Sequence, residues 1–392
     1  HMIPALLSNY APADLSFEKG EGPYLYGNDG RRYLDFAAGI AVSGLGHAHP
    51  KLVAALTDQA QKVWHVSNLF RIPGQEELAR KLVDATFADA AYFCNSGAEA
   101  NECGIKMVRK YFSTNGHPEK YRIIAFENSF HGRTLATIAA AGQEKLLAGF
   151  GPVVDGFDHV PVHDIEAVKA AITDETAAIL IEPVLGEGGI QVVEPEFLRA
   201  LRKLCDERDL LLMLDEIQTG MGRTGKLFAY EHAGIKPDIL TSAKALGGGF
   251  PVGACLAVEK VAKAMTVGSH GSTYGGNPLA MAVAGAVVDV MSEEGFMDHV
   301  VEMGNHLKQG IVGVIDRHPD ILEEIRGIGL HLGLKCKVEN TLVNNKLLEL
   351  GVLTAKGGDN VVRLLPPLII EDAQVSEFIN LLDEACTELE NG

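Results

Sequence analysis

Short apolar runs alternate with amphipathic stretches through the middle of this chain, and this alternation constrains its fold more than any other feature. Leu210–Leu214 is the most apolar run, and the helical pattern of Glu196–Arg208 precedes it. The other runs are Ala91–Phe93, Arg122–Phe126, Ala178–Ile181 and Ile239–Leu240. The alternation predicts βαβ units, an α/β fold, and a mostly parallel sheet that is buried on both faces. Ligands bind beyond the carboxyl ends of such strands, so functional residues are expected directly after the runs.

The two ends of the chain are organised differently from its middle. Glycines and aromatic residues over residues 20–36 predict a small antiparallel sheet, and a helix is expected after His49-Pro50. Towards the other end, helical patterns at 293–316 and 373–389 flank strand-like runs at 328–336 and 361–365. A chain of 392 residues is too long for one compact core. We therefore predict a large domain at 50–290 and a small α+β domain that combines an N-terminal segment, 3–49, with a C-terminal part, 291–392.

Composition excludes several classes of partner. The formal net charge is −18, which repels nucleic acid phosphates and anionic lipid head groups, so neither nucleic acid nor a membrane is expected as a partner. No apolar run is long enough to cross a bilayer, and a cytoplasmic protein is expected. His1-Met2 is typical of an expression tag and is left out of the fold prediction. The six cysteines form no CxxC pair, which predicts buried free thiols and no metal site.

An acid and a lysine follow two consecutive apolar runs. Asp215 ends the run Leu210–Leu214, and a carboxylate there is costly unless it meets a cation or a strong donor. A structural salt bridge is one explanation, and the nitrogen of a protonated pyridine ring is another. Lys244 lies among small uncharged residues just ahead of Gly247–Gly249. Burial would lower the pKa of this lysine and free its amine as a nucleophile.

Residues after two other runs supply weaker signals. Asn95–Ala100 opens a helix whose free N–H groups would bind an anion, although Ser96 also suits an ordinary helix cap. After Arg122–Phe126, Phe130 would stack on a flat ring and Arg133 would hold a carboxylate.

Two loops are ambiguous by themselves. Glu182 and Glu187 are most simply explained as solvated loop acids, and Ser269–Asn277 is either a phosphate contact or a surface loop. The whole set nevertheless supplies what pyridoxal phosphate requires: a lysine for its aldehyde, an acid for its ring nitrogen, donors for its phosphate and an aromatic face for its ring. The residues therefore predict a pyridoxal-phosphate enzyme with Lys244 as the cofactor-binding lysine.

A glycine-rich segment offers a competing interpretation. Gly220–Gly225 matches GxGxxG and, with Lys226, nearly matches a P-loop. Leu227 stands where the P-loop needs a serine or threonine, and residues 215–219 separate the glycines from the strand. Nucleotide binding is kept as a remote alternative. A scaffold without enzymatic activity would leave Asp215 and Lys244 unexplained.

Five segments together resemble the class III aminotransferases, which share the fold of aspartate aminotransferase, fold type I of the pyridoxal-phosphate enzymes. They are Ser96–Asn101, Phe130–Arg133, Glu182–Gly189, Leu214–Gly220 and Ala243–Gly249. The resemblance covers essentially the whole chain, and the block from Asp215 to Lys244 is its most specific part. It implies a homodimer with active sites at the subunit interface.

The resemblance implies which residues bind the cofactor. Lys244 would carry it and Asp215 would pair with its ring nitrogen, and these two would be the catalytic residues. The other contacts would be Gly97, Ala98, Phe130, Glu216, Ile217, Gln218 and Thr273. Gln218 would contact the ring hydroxyl, and Thr273 would reach the phosphate in the neighbouring subunit.

The resemblance also implies which residues bind substrates. Arg133 and Ser272 would hold the carboxylate end of the amino donor. Arg363 would bind the α-carboxylate of 2-oxoglutarate, and Glu187 would pair with Arg363 when no keto acid is bound. The sequence departs from the family at Leu185, where a glutamine is usual.

Within the class, similarity is greatest to the branch that acts on N-acetylornithine in arginine biosynthesis. This implies ping-pong transfer of the δ-amino group to 2-oxoglutarate, giving N-acetylglutamate semialdehyde and glutamate. Ile40 stands where ornithine aminotransferases usually carry a tyrosine, and an apolar residue there fits an acylated amine. N-Succinylornithine and N-succinyl-diaminopimelate remain alternative substrates.

Overall fold

The computed structural model describes residues 5–392, so His1-Met2 and the first two residues of the predicted N-terminal segment lie outside the described part. The chain begins with β1 (Phe17–Glu21), β2 (Tyr24–Gly27), β3 (Arg32–Asp35), α1 (Ala38–Ala41), α2 (Pro50–Ala60) and α3 (Pro73–Ala85). The predicted antiparallel sheet is confirmed by β1, β2 and β3. The predicted helix is also confirmed, and it begins at Pro50 because the fixed φ of proline suits a first helical position.

The middle of the chain alternates strands with helices. Its elements are β4 (Ala90–Cys94), α4 (Gly97–Thr114), β5 (Arg122–Phe126), α5 (Leu135–Ala141), α6 (Glu144–Leu147), β6 (Phe157–Val160), α7 (Ile165–Ala171), β7 (Thr176–Ile181), β8 (Val184–Leu185), β9 (Gln191–Val192), α8 (Pro195–Arg208), β10 (Leu211–Asp215), α9 (Tyr230–Ala233), β11 (Ile239–Ser242), β12 (Gly253–Ala257), α10 (Glu259–Ala262) and α11 (Pro278–Met291). A short 3-10 helix, Lys244–Leu246, follows β11.

The last part of the chain mixes long helices with short strands. Its elements are α12 (Phe296–Arg317), β13 (Leu322–Ile328), β14 (His331–Cys336), α13 (Asn340–Glu349), β15 (Val352–Leu353), β16 (Ala355–Gly357), β17 (Val361–Leu364) and α14 (Asp372–Asn391). The two helices predicted here, at 293–316 and 373–389, are confirmed by α12 and α14.

A seven-stranded sheet in the order β4-β12-β11-β10-β7-β5-β6 forms the centre of the molecule. All its strands run in one direction except β12, which is antiparallel to β4 and β11. The mostly parallel sheet and the α/β class are therefore confirmed. The sequence interpretation missed β6 and β12, because Gly253–Ala257 is short and rich in small residues and therefore resembles a loop.

The central sheet is buried on both faces. Leu211 and Met213 pack in the cluster that contains residues of α4, whereas Leu212 and Leu214 pack in the cluster that contains residues of α8. This arrangement follows from the strand period of two, which sends successive side chains to opposite faces. Each fully buried leucine stabilises the fold by roughly 1.5–3 kcal/mol. The layered packing makes the sheet a rigid platform for the residues at the ends of its strands.

Two smaller four-stranded sheets flank the central one. In the first, β15 pairs with β3 in parallel, so the last part of the chain completes the sheet that the first part begins. The second has the order β13-β14-β17-β16 and is antiparallel. This pairing is compatible with the predicted small domain, and the boundaries 3–49, 50–290 and 291–392 stay predictions.

The six cysteines are all buried and none forms a disulfide, which confirms the predicted free thiols. Among residues 5–392, no helix combines the length and the apolar character that a membrane span requires.

His318 joins the end of α12 to α14 and is expected to make stability depend on pH. Its Nδ1 lies 2.8 Å from Glu390 Oε1 and its Nε2 2.8 Å from Asp383 Oδ1. Burial alone lowers the pKa of His318, but the two carboxylates outweigh it and raise the pKa above its ordinary value. The stabilisation is therefore full below the pKa of the unfolded chain and is lost as pH rises through the raised pKa of the folded chain.

We expect His318→Gln to lower the free energy of unfolding by about 1 kcal/mol at pH 5.5, a modest loss because partly exposed ion pairs are weak. The loss should be much smaller at pH 8.5, where the charge of His318 contributes less. Denaturant unfolding at both pH values measures this. His117→Gln is the matched control, because His117 is exposed and its one ion pair in the described part of the chain is with Glu119. An equal loss for His318→Gln at both pH values would contradict the prediction.

Candidate active site

A cavity of about 380 Å³ opens at the edge of the central sheet where five parallel strands end. Its lining comes from the residues after β4, β5, β7, β10 and β11, together with Gly249–Val252 ahead of the antiparallel strand β12. This is the position where open α/β sheets bind ligands. Of the predicted site residues, the cavity is lined by Gly97, Ala98, Phe130, Glu187, Asp215, Ile217, Gln218 and Lys244.

Lys244 lies at the start of the 3-10 helix and extends its amine into this cavity. Its φ is +46°, an uncommon value for a residue with a side chain, and such strain often marks a functional site. The Nζ donates to the carbonyl oxygen of Ile40 at 3.1 Å. Burial lowers the pKa of Lys244 to about 8. Near neutral pH, far more of this amine is therefore neutral and nucleophilic than in an ordinary lysine.

The carbonyl that meets Lys244 is held by an unusual turn. Each residue of α1, Ala38–Ala41, has a positive φ, so this element is a single left-handed turn. Ala38 and Ala41 are buried, whereas Ile40 is 37% exposed. The turn brings the N-terminal segment over the cavity, which the sequence alone did not indicate.

Asp215 is buried in a network of donors behind the cavity. Its Oδ2 accepts from His131 Nδ1 at 2.7 Å and from Asn101 Nδ2 at 3.0 Å, and its Oδ1 accepts from the amide of Ile217 at 3.0 Å. Thr241 Oγ1 in turn donates to Asn101 Oδ1 at 2.8 Å. Among the described residues, Asp215 forms no ion pair with a lysine or an arginine, and this favours the pyridine-nitrogen explanation over the structural salt bridge.

Helix α4 begins at the cavity with Gly97 and Ala98. Ser96 caps it, since its Oγ accepts from the amide of Glu99 at 3.3 Å. The unpaired N–H groups and the positive end of the helix dipole favour an anion here. A Cβ at Gly97 would lie 2.8 Å from Ile217 Cδ1, so only glycine allows Ile217 to pack against the helix end.

Glu182 is a buried acid beside Asp215, not a solvated loop acid. Its Oε2 accepts from the amide of Phe130 at 3.1 Å, and it lines the cavity. Burial first, and then the charge of Asp215, raise the pKa of Glu182 well above its ordinary value. A second negative charge beside Asp215 is therefore disfavoured.

Arg363 and Glu187 form an ion pair beside the cavity. Arg363 Nη1 donates to Glu187 Oε1 at 2.9 Å, and its Nε and Nη2 donate to the carbonyl oxygen of Lys356. Arg363 is 2% exposed and Glu187 31%, so the glutamate is the partner that can move into solvent. Glu187 lines the cavity, whereas Arg363 lies behind it.

Three predicted substrate or cofactor contacts lie outside the cavity of this chain. Arg133 is exposed, with its guanidinium 5.8 Å from the centre of the Phe130 ring. Ser272 accepts from Asn95 Nδ2 at 3.0 Å and lines a separate hollow next to His270. Thr273 is exposed on the same loop.

Glu216 also lies outside the cavity lining. Its carboxylate is fully buried and accepts from the amides of Ala229 and Tyr230 and from Thr219 Oγ1, so it stabilises the following loop. The glycine-rich segment Gly220–Gly225 belongs to this loop. It is buried and no helix follows it directly, which removes the structural context that nucleotide binding requires.

Sequence reasoning did not single out three buried polar residues at the site. Asn101 and His131 hold the carboxylate of Asp215, and His331 lies 2.8 Å from the amide oxygen of Gln218. Asn101 and His131 lie inside two of the recognised motifs. The sequence therefore contained them, but they were interpreted as parts of a helix and a loop and not as partners of Asp215. Nothing near His331 in the sequence points to Gln218, which lies 113 positions away.

The residues that line the cavity fit pyridoxal phosphate. A buried amine of lowered pKa, a fixed carboxylate, a helix N-terminus and an aromatic wall surround one space, which corresponds to the four groups that this cofactor presents. Gly97 carries no side chain at the first turn of α4, where the phosphate would bind. Fold and site together define a pyridoxal-phosphate enzyme of fold type I.

The chain belongs to the class III aminotransferases, because the model of that family, Aminotransferase class-III, matches residues 7–386. An acetylornithine aminotransferase from Mesorhizobium japonicum is 58% identical, with 96% of this chain and 94% of the relative covered. A succinylornithine transaminase/acetylornithine aminotransferase from Pseudomonas aeruginosa is 48% identical, with 100% and 96% covered. The solved structure of N-acetylornithine aminotransferase from Stenotrophomonas maltophilia is 39% identical and superposes with a TM-score of 0.86 over 98% of each chain. The predicted family, fold and cofactor are thereby confirmed.

Proposed function

We propose that this aminotransferase moves the δ-amino group of N-acetylornithine to 2-oxoglutarate, as a step of arginine biosynthesis. The observation that carries the reaction type is the buried amine of Lys244 in the same cavity as Asp215. The choice of amino donor is supported by the relatives and by the solved structure that bear the name of this substrate. N-Succinylornithine is the second candidate, since one relative is named for both acyl substrates.

When bound, pyridoxal phosphate supplies a ring that accepts negative charge from a substrate carbon. Lys244 would anchor the cofactor and, with its amine free, would take the proton from that substrate carbon and deliver it to the cofactor carbon. A pKa of about 8 suits this work, because a proton carrier is most effective near the working pH. Asp215 keeps a proton on the ring nitrogen, and His131 and Asn101 keep its carboxylate oriented.

Two arginines outside the cavity lining are the candidates for carboxylate recognition. We propose that Arg363 binds the α-carboxylate of 2-oxoglutarate after Glu187 leaves it, and that Arg133 and Ser272 bind the carboxylate end of the amino donor. Support comes from the partial exposure of Glu187 and from the position of Arg133 next to Phe130. A bidentate guanidinium–carboxylate pair would offset the loss of the Glu187 contact.

Ile40 is proposed to favour an acylated donor. Its backbone carbonyl accepts from Lys244 Nζ, and its side chain is partly exposed. An apolar side chain there provides no hydrogen-bond acceptor for a free α-ammonium group, and desolvating that group without a partner is unfavourable.

We further propose that the protein is a cytoplasmic homodimer that completes each active site with residues of the neighbouring subunit. Thr273 and Ser272 lie on a loop that does not line the cavity of their own chain. Trp64, Leu69 and Phe70 are large hydrophobic residues with more than half of their surface exposed, which suits a surface that a second copy covers.

A half-reaction tests the proposed function. The visible absorbance of the yellow holoenzyme should fade when N-acetylornithine is added without a keto acid, with release of one equivalent of N-acetylglutamate semialdehyde, and 2-oxoglutarate should restore it. Free ornithine should react at least about tenfold more slowly, since one pocket contact discriminates by this order. A band that fades only with N-succinylornithine would change the substrate. A protein that binds no pyridoxal phosphate would overturn the proposal as a whole.

A further inference from the structure

His331 stands directly behind Gln218, which lines the cavity. It begins β14, is fully buried, and its Nε2 lies 2.8 Å from Gln218 Oε1. The amide of Gln218 also packs against the backbone of Gly186, where a Cβ would lie 2.6 Å from Gln218 Cδ. The hydrogen bond to His331 and the close contact with Gly186 together restrict the amide to a narrow range of positions.

The surroundings of His331 decide which of its nitrogens carries the proton. Nδ1 is buried and makes no hydrogen bond to any residue between 5 and 392. A proton on Nδ1 would be a buried donor without a hydrogen-bond acceptor. Folded proteins avoid such donors more strictly than buried acceptors without a donor. The proton therefore belongs on Nε2, where it is donated to Gln218 Oε1.

A second proton on His331 is also disfavoured. Burial is the largest cause that lowers the pKa of His331 well below its ordinary value, and the positive charges of Arg223, Arg363 and Lys244 add to it. The imidazole is consequently neutral across the physiological range and remains a donor of one fixed orientation.

We propose that His331 is a positioning residue that holds the Gln218 amide with its oxygen turned away from the cavity and its NH₂ group turned towards the cofactor. The inference rests on the proposed function, because it takes the ring oxygen of pyridoxal phosphate as the acceptor. An N–H donor at that oxygen stabilises its negative charge. In the absence of His331 the amide is free to rotate, and the donor is lost for part of the time.

The pH titration of the visible absorbance of the lysine-bound cofactor measures this effect independently of turnover. His331→Met removes the hydrogen-bond donor, and the flexible methionine side chain can still fill the buried space. We expect the midpoint of the titration to rise by about 0.5–1 pH unit, the effect of one neutral hydrogen bond to a charged form. His331→Gln keeps an N–H donor and should restore the midpoint to within error of the wild type. An unchanged midpoint in His331→Met overturns the proposal.

A double-mutant cycle with Gln218→Ala separates positioning from a general effect on folding. When Gln218 is absent, His331→Met should not move the midpoint further, because the group through which it acts is gone. A rise of equal size in both backgrounds overturns the proposal and makes His331 a packing residue only. These outcomes require a yellow wild-type holoenzyme. A wild type that never turns yellow contradicts the proposed function. A yellow wild type whose His331 variants do not show the expected midpoints contradicts only the role of His331.

Discussion

Lys244→Ala is expected to lower the transamination rate by at least about 10⁴-fold, because it removes both the anchor of the cofactor and the group that carries the proton. The structure makes this lysine hard to replace. Its amine is buried at the cavity, its pKa is lowered to about 8, and its backbone conformation is one that few side chains adopt. Single-turnover mixing with N-acetylornithine measures the loss, and borohydride reduction followed by mass spectrometry should detect no covalently attached cofactor.

Lys263→Ala serves as the matched control for Lys244→Ala. Lys263 is exposed on the surface and, within residues 5–392, pairs only with Glu259 one helical turn away, so its removal should leave turnover unchanged. Turnover close to the wild type in Lys244→Ala would refute the proposed mechanism. Added methylamine offers a further check, since a small amine that restores part of the rate would assign the loss to the proton transfer.

Asp215→Asn is expected to slow the half-reaction by about 10²–10³-fold, the usual effect of removing one preorganised electrostatic group. The amide has the shape of the carboxylate but lacks the negative charge that keeps the ring nitrogen protonated. Its NH₂ group stands either where His131 and Asn101 both donate or where the amide of Ile217 donates, so at least one of these contacts is broken. Stopped-flow absorbance with N-acetylornithine measures the rate, and covalent attachment of the cofactor through Lys244 should persist.

Asp238→Asn is the control for Asp215→Asn. Asp238 is also a buried carboxylate, but it precedes β11 and therefore lies at the opposite edge of the sheet, where it accepts from the amide of Leu212 and pairs with Arg202. Its replacement should reduce the free energy of unfolding and leave the half-reaction rate unchanged. If Asp215→Asn kept the wild-type rate, the role of Asp215 at the ring nitrogen would be refuted.

Local sequence patterns were sufficient for the fold class and for the two central residues. Buried parallel strands are continuous apolar runs, and a charged residue at the end of such a run is conspicuous because burial of a charge is costly. Asp215 and Lys244 were recognisable for this reason, and the structure brings both into one cavity. The small-residue strand β12 lacked such a run and was missed.

The surroundings of those residues became visible only in the tertiary structure. Glu182 has the same local pattern as a solvated loop acid, and it is the packing around β7 and β10 that buries it beside Asp215 and raises its pKa. Asn101 reaches Asp215 across 114 positions, and Arg363 reaches Glu187 across 176.

The sequence by itself therefore determined a mostly parallel α/β fold and the chemistry of a lysine and an acid that follow two buried strands. Only the tertiary structure decided which neighbours orient these groups, which of them are charged, and that His331 stands behind Gln218. The physical reason is that periodicity and cost of burial are properties of a short stretch of chain. Hydrogen-bond partners and electrostatic neighbours depend on which strand ends and loops meet, and this is set by the packing of the whole sheet.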